Sequence, residues 1–167
     1  MHIEFFQSDN IYDYTPVLEG LNDDFNGDHF HAILAWCRVM DLDMRDGDHF
    51  WQVWLIRNLR GKTIGLSGLY SLDESTDNLW LGWLGILPEY RNKGVGERVL
   101  ESLEDFAIMT GCKTLWTYVD KDGKPLSFYH RNGFEQCGRV GDYLKLHPEL
   151  EGEFGDDMDY ILKKKLE

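Results

Sequence analysis

The spacing of apolar positions changes several times along the chain, and each change marks an element. Residues 29–40, HFHAILAWCRVM, carry Phe30, Ile33, Leu34, Cys37 and Met40 at helical spacing and predict an amphipathic helix. HFWQVWLIR (49–57) and TIGLSGLYSL (63–72) have the aromatic and β-branched content of strands, joined by the turn residues NLRGK. After the turn DESTDN comes LWLGWLGIL (79–87), apolar throughout, as expected of a strand buried on both faces. With residues 1–6 as a short first strand, this run predicts an antiparallel meander.

Beyond Gly96 the period returns to helical. Val99, Leu100, Leu103, Phe106 and Ala107 trace one face, and Gly111 supplies the C-terminal cap. TLWTYV (114–119) is again a strand, so strand, helix and strand form a crossover with parallel neighbours. A short helix is expected from Pro125 to the stop at Asn132-Gly133. EQCGRVGDYLKL (135–146) and DYILKKKL (159–166) read as two final strands around an acidic loop. No repeat, low-complexity tract or linker divides the chain, so residues 1–167 are expected to form a single domain of mixed α/β class.

Composition narrows the partners. Seventeen basic against thirty acidic residues give a net charge of −13, which repels nucleic acid and anionic membranes and attracts a cationic amine or peptide. The three cysteines, Cys37, Cys112 and Cys137, lack CxxC spacing, so neither a disulfide framework nor a zinc site is expected. His29 and His31 lie near Asp24 and Asp28, yet two residues apart on a helix they point to different faces, and no metal is predicted. With no basic-then-apolar leader and no 18-residue apolar window, the expectation is a cytoplasmic protein without a membrane span.

Candidate chemistry gathers in LGILPEYRNKGVGERVL, residues 84–100. Gly94 and Gly96 remove two Cβ atoms where a strand gives way to a helix, so backbone N–H groups there can approach an anion at the positive end of the helix. Arg91, Lys93 and Arg98 reverse the sign of an otherwise acidic chain at this point. There is no GxxxxGK[ST], and Val99 occupies the place of a third dinucleotide-binding glycine. Upstream, Gly82 and Gly85 interrupt the apolar strand, as at a bulge, leaving backbone groups for a ligand rich in amides.

The run Leu84 to Gly96 resembles the acetyl-coenzyme A signature of the GNAT N-acetyltransferase superfamily, with Arg91, Gly94 and Gly96 at its defining positions. PLSFYHRNGFEQCG resembles that family's second motif through Tyr129, Gly133 and Phe134. Two departures stand out: Asp122 replaces an Asn usual seven residues before the motif Tyr, and Pro125 an Ala four before it. The resemblance implies a mostly antiparallel sheet of six or seven strands with about four helices and a central crossover. It also implies acetyl-coenzyme A as acyl donor and direct attack by an amine of a small molecule, polyamine, amino acid or peptide.

On that footing the backbone at Leu84, Gly85, Ile86 and Leu87 would bind the pantetheine arm and thioester oxygen. Arg91, Asn92, Lys93, Gly94, Val95 and Gly96 would hold the pyrophosphate, with Asp122 near the arm. Tyr129 is the candidate acid, because a phenol stays protonated at neutral pH and can give its proton to a thiolate. The fourth strand carries no titratable side chain. Asp77, Glu74, His49 and Asp120 are candidate bases, alongside a water chain or deprotonation before binding. The alternative is a non-catalytic acyl-coenzyme A sensor or partner-binding module on the same fold; a homodimer is left open.

Overall fold

The computed structural model describes residues 2–8, 10–21 and 50–167. The predicted helix over 29–40, with His29, His31 and the candidate base His49, lies outside the described residues. In chain order the elements are β1 (Ile3–Phe6), α1 (Thr15–Gly20), β2 (Trp51–Asn58), β3 (Thr63–Tyr70), β4 (Asn78–Ile86), α2 (Val95–Met109), β5 (Thr114–Val119), α3 (Pro125–Arg131), β6 (Glu135–Arg139), α4 (Val140–Leu146) and β7 (Tyr160–Lys165). Among the described residues, seven strands form one sheet in the order β1-β2-β3-β4-β5-β7-β6. Every pairing is antiparallel except β4 with β5, which α2 connects. The expected meander and crossover are both present.

Alternate residues of the central strands feed two cores. Trp54, Ile56, Ile64, Leu79, Leu81 and Leu115 pack with Val99, Leu100 and Leu103 of α2 and with Tyr129 and Phe134. Val53, Leu55, Leu66, Trp80 and Ile161 meet Tyr14, Val17, Leu18 and Val140 on the other face. Both faces are covered, which is why these strands read as continuous apolar runs. α2 ends as predicted: Gly111 has φ 86°, its N–H donates to the Ile108 carbonyl, and the Cys112 N–H donates to that of Ala107.

Two elements differ from expectation. Residues 140–146 form a helix instead of continuing the strand 135–146, because Val140, Tyr143 and Leu144 stand at i, i+3 and i+4 and pack on the sheet beside Trp80. α1 arises in the stretch that reads as polar, where Tyr14, Val17, Leu18 and Leu21 form a buried helical stripe and Pro16 suits the first turn.

Candidate active site

β4 is bulged at its middle. Leu66 faces Gly85 and Gly68 faces Gly82, so Trp83 and Leu84 together oppose the single residue Ser67. Trp83 absorbs the extra length with φ 54°, a left-handed conformation that a bulky side chain adopts at a cost of order 1 kcal/mol. Gly65 is glycine because a Cβ there would strike the Gly85 carbonyl. On the other side β4 pairs with β5 only from Asn78 to Trp80, and β5 then continues against β7 to Val119. The two parallel strands therefore fork after Trp80–Trp116.

The candidate anion loop begins where β4 ends. Asn92 and Gly94 both have left-handed backbones, φ 58° and 74°, a conformation from which anion-binding nests of backbone N–H groups are built. Gly94 caps α2, so the Val95 and Gly96 amides lack helical acceptors. The Val95 side chain is buried in the core, leaving only its backbone for a ligand. The Arg91 Nε donates to the Ile86 carbonyl at 2.7 Å and the Lys93 Nζ to the Glu89 carbonyl at 2.8 Å, which folds both cations along the loop. Of the backbone at Leu84 to Leu87, the Leu87 N–H is engaged by the Ile64 carbonyl at 2.8 Å.

Tyr129 lies on α3, in the core that Leu81 and Leu115 also enter. That helix ends with Gly133 at φ 86°; the Gly133 N–H donates to the His130 carbonyl and the Phe134 N–H to the Tyr129 carbonyl. This closure brings the Phe134 ring edge-on to Tyr129 at 5.3 Å. The tyrosine is 6% exposed. Burial pushes its phenol well above the ordinary tyrosine range, and a hydrogen bond with Thr117 opposes that shift. Thr117 is itself buried and donates to the Leu81 carbonyl at 3.5 Å, the first residue of β4 past the fork.

The loop and α3 meet where Gly96 stands against the ring of Phe128, the neighbour of Tyr129; a buried hydroxyl on β5 that the sequence reading missed is Thr117. The signal for Thr117 was faint: a hydroxyl in the inward row of TLWTYV, between buried Leu115 and Val119. Asp77 and Glu74 lie before β4, at the end away from the loop, and nine residues at about 3.3 Å each separate the two ends by roughly 26 Å. Asp77 there pairs with Lys113 at 2.8 Å on the surface. Asp120 and Asp122 occupy the exposed turn between β5 and α3, where the Asp120 carboxylate accepts the Asp122 N–H at 2.8 Å. Among the described residues no group of three or more His, Cys, Asp or Glu could hold a metal, and no helix is long and apolar enough to cross a membrane.

Residues 13–134 match the acetyltransferase (GNAT) family. Among solved structures, the chain is similar to a GNAT-family acetyltransferase from Desulfovibrio desulfuricans, with TM-score 0.76 and 13% identity over 99% of this chain and 100% of that one. An acetyltransferase from Streptococcus agalactiae aligns with TM-score 0.72 and 20% identity over 99% and 98%. The PaiA N-acetyltransferase of Thermoplasma acidophilum, solved in complex with coenzyme A, gives 0.63 and 20% over 99% of each chain. At such identities the structural likeness speaks for the fold, while the family match spans the bulged strand, the anion loop and the tyrosine helix: the chain belongs to the GNAT acetyltransferase family.

Proposed function

We propose that the protein is an acetyl-coenzyme A dependent N-acetyltransferase that acetylates a primary amine by direct attack on the thioester. The observation that carries this reading is the combination of a loop with two left-handed residues at the head of α2, a β4 that leaves β5 after three pairs, and a buried phenol on α3. Coenzyme A is the ligand whose chemistry matches all three, having a pyrophosphate, an amide-bearing arm and a thiol. Bound as its acetyl thioester, it supplies the acetyl group.

The loop amides of residues 91–96, with the Arg91 and Lys93 charges beside them, hold the pyrophosphate. The bulged part of β4, from Leu84 to Ile86, offers backbone groups to the arm and to the thioester oxygen. Tyr129 keeps a proton on its phenol oxygen for the leaving thiolate, a role its burial favours by holding it neutral. β4 carries no carboxylate, so the ammonium proton leaves through water or before binding. The acidic surface favours a cationic acceptor.

The test is thiol release from acetyl-coenzyme A in the presence of a panel of primary amines and polyamines. Turnover is expected with at least one cationic amine. Tyr129→Phe should lower kcat about 10- to 100-fold with little change in coenzyme A affinity. Acetyl-coenzyme A binding without turnover on any amine would replace this reading with the sensor, which the carboxylate-free β4 favours.

A further inference from the structure

α3 has seven residues, too few to be stable alone, so the place of Tyr129 depends on what the helix is seated against. One tie to α2 is direct: Gly96 lacks the Cβ that would stand 3.2 Å from the Phe128 ring. A second runs through β7. Where the chain closes α3 at Gly133, a Cβ would stand 3.3 Å from Cε and 3.7 Å from Nζ of Lys164. The Lys164 Nζ donates to the Glu104 carboxylate of α2 at 2.7 Å. Glu104 thus holds Lys164, and Lys164 stands against the turn that ends the tyrosine helix.

That turn is coupled to the phenol by short paths. The Tyr129 carbonyl accepts the Asn132 N–H at 3.1 Å and the Phe134 N–H at 3.0 Å, and the Phe134 ring meets the Tyr129 ring edge-on at 5.3 Å. A displaced turn therefore shifts both the residue that carries the phenol and the ring that packs on it. The Lys164 backbone is already fixed by its pairing with Leu115 of β5, but a lysine side chain is a flexible four-carbon stem. Glu104 selects one of its conformations. Stability alone does not call for an ion pair here: with side chains 26% and 16% exposed both charges lose much of their hydration, and apolar residues of similar volume often stabilise such a position as well. What charges add is a fixed separation and direction, where apolar contacts accept several packings.

We propose that Glu104 and Lys164 are positioning residues for acetyl transfer, their ion pair fixing the closing turn of α3 against α2 and so setting the place of the Tyr129 phenol relative to a ligand held at the head of α2. This rests on Tyr129 serving as the acid. Neither residue gives or takes a proton in the step; both act through α3. The demand on position is strict, because proton transfer to a thiolate needs the phenol within hydrogen-bond reach. A misplacement of about 1 Å can cost about 100-fold in rate.

The experiment places Glu104→Gln in both the native and the Tyr129→Phe backgrounds, reading kcat, KM and coenzyme A affinity with acetyl-coenzyme A and a fixed mixture of primary alkylamines, at a temperature where circular dichroism shows each variant folded. Glu104→Gln should lower kcat about 10-fold in the native background, with coenzyme A affinity held within about 2-fold. In the Tyr129→Phe background it should change kcat by less than about 2-fold, because the group being positioned is gone. Should Glu104→Gln leave too little folded protein, Glu104→Gln combined with Lys164→Met, which leaves no charge unpaired, takes its place with the same expected pattern. An equal loss in both backgrounds makes the ion pair merely structural and overturns the proposal while leaving Tyr129 as the acid; so does a native-like kcat for Glu104→Gln, or a loss carried by coenzyme A affinity instead of kcat. A native-like kcat for Tyr129→Phe, or no turnover at all, removes the acid reading and this proposal with it.

Discussion

Gly94 and Gly96 are two residues apart and are glycine for different reasons. Gly94 has φ 74° with nothing among the described residues within 4 Å of where a Cβ would stand, so its need is conformational. Gly96 has ordinary helical φ but would bring a Cβ to 3.2 Å from the Phe128 ring, so its need is room for α3 to approach α2. The sequence shows the pair but cannot divide these roles, because the second depends on a residue 32 positions away. Gly94→Ala should cost about 1 kcal/mol in urea denaturation, the usual penalty of a left-handed Ala, and should weaken coenzyme A binding by turning the loop amides. Gly96→Ala, gaining helix propensity while pushing a ring aside, should disturb binding less. If calorimetric titration gives the two variants the same affinity, the loop conformation is not what binds the anion. Thr117 was hidden for a similar reason: the carbonyl its hydroxyl meets, that of Leu81, belongs to another element.

Elements were legible where one period persisted. α2 showed its whole face, and Val95, Val99, Leu100, Leu103 and Ala107 are indeed buried. Where the apolar run is short the period is ambiguous, and α4 reads as an extension of β6 because the sequence has no break between them. The fork was legible only as two glycines in a strand; that β4 leaves β5 after three pairs follows from tertiary pairing. How elements are tied together is likewise a structural fact. Lys164 of β7 reaches Glu104 of α2 at 2.7 Å, with side chains 26% and 16% exposed, and its stem lies against Gly133 at the end of α3. The Asp77–Lys113 pair is as short at 2.8 Å but lies in solvent. Glu104→Gln should therefore cost about 1–3 kcal/mol, since it leaves a half-buried ammonium poorly paired, whereas Asp77→Asn should cost under about 1 kcal/mol. Chemical denaturation of both variants checks the order, and equal losses would mean that burial does not set the strength of the α2–β7 tie.

For the molecule as a whole, the two cores determine how stability responds to alkali. Tyr70, Tyr118, Tyr129 and Tyr143 all have phenols raised above the ordinary value, in each case chiefly by burial, with Asp159 and Glu153 adding to the effect on Tyr118. A phenol raised in the fold holds its proton where the unfolded chain, titrating near about pH 10, has released it. Its contribution to stability is therefore complete below about pH 10 and is lost as pH climbs from there through the folded value. Each phenol that stays protonated in the fold adds a slope of up to roughly 1.4 kcal/mol per pH unit, and Tyr70 and Tyr129, the least exposed of the four, approach that limit most closely. Urea denaturation at successive pH values should give a shallow decline from about pH 8.5, where burial likewise holds the Cys112 and Cys137 thiols protonated, and a steep fall above about pH 10.5. Tyr129→Phe supplies the control, because it removes one proton from the difference between the states and should flatten that fall by about 1.4 kcal/mol per pH unit. A variant curve parallel to the native one would mean that Tyr129 ionises within the fold at its ordinary value. The phenol would then be open to solvent at the fork instead of shielded by Phe134 and Thr117.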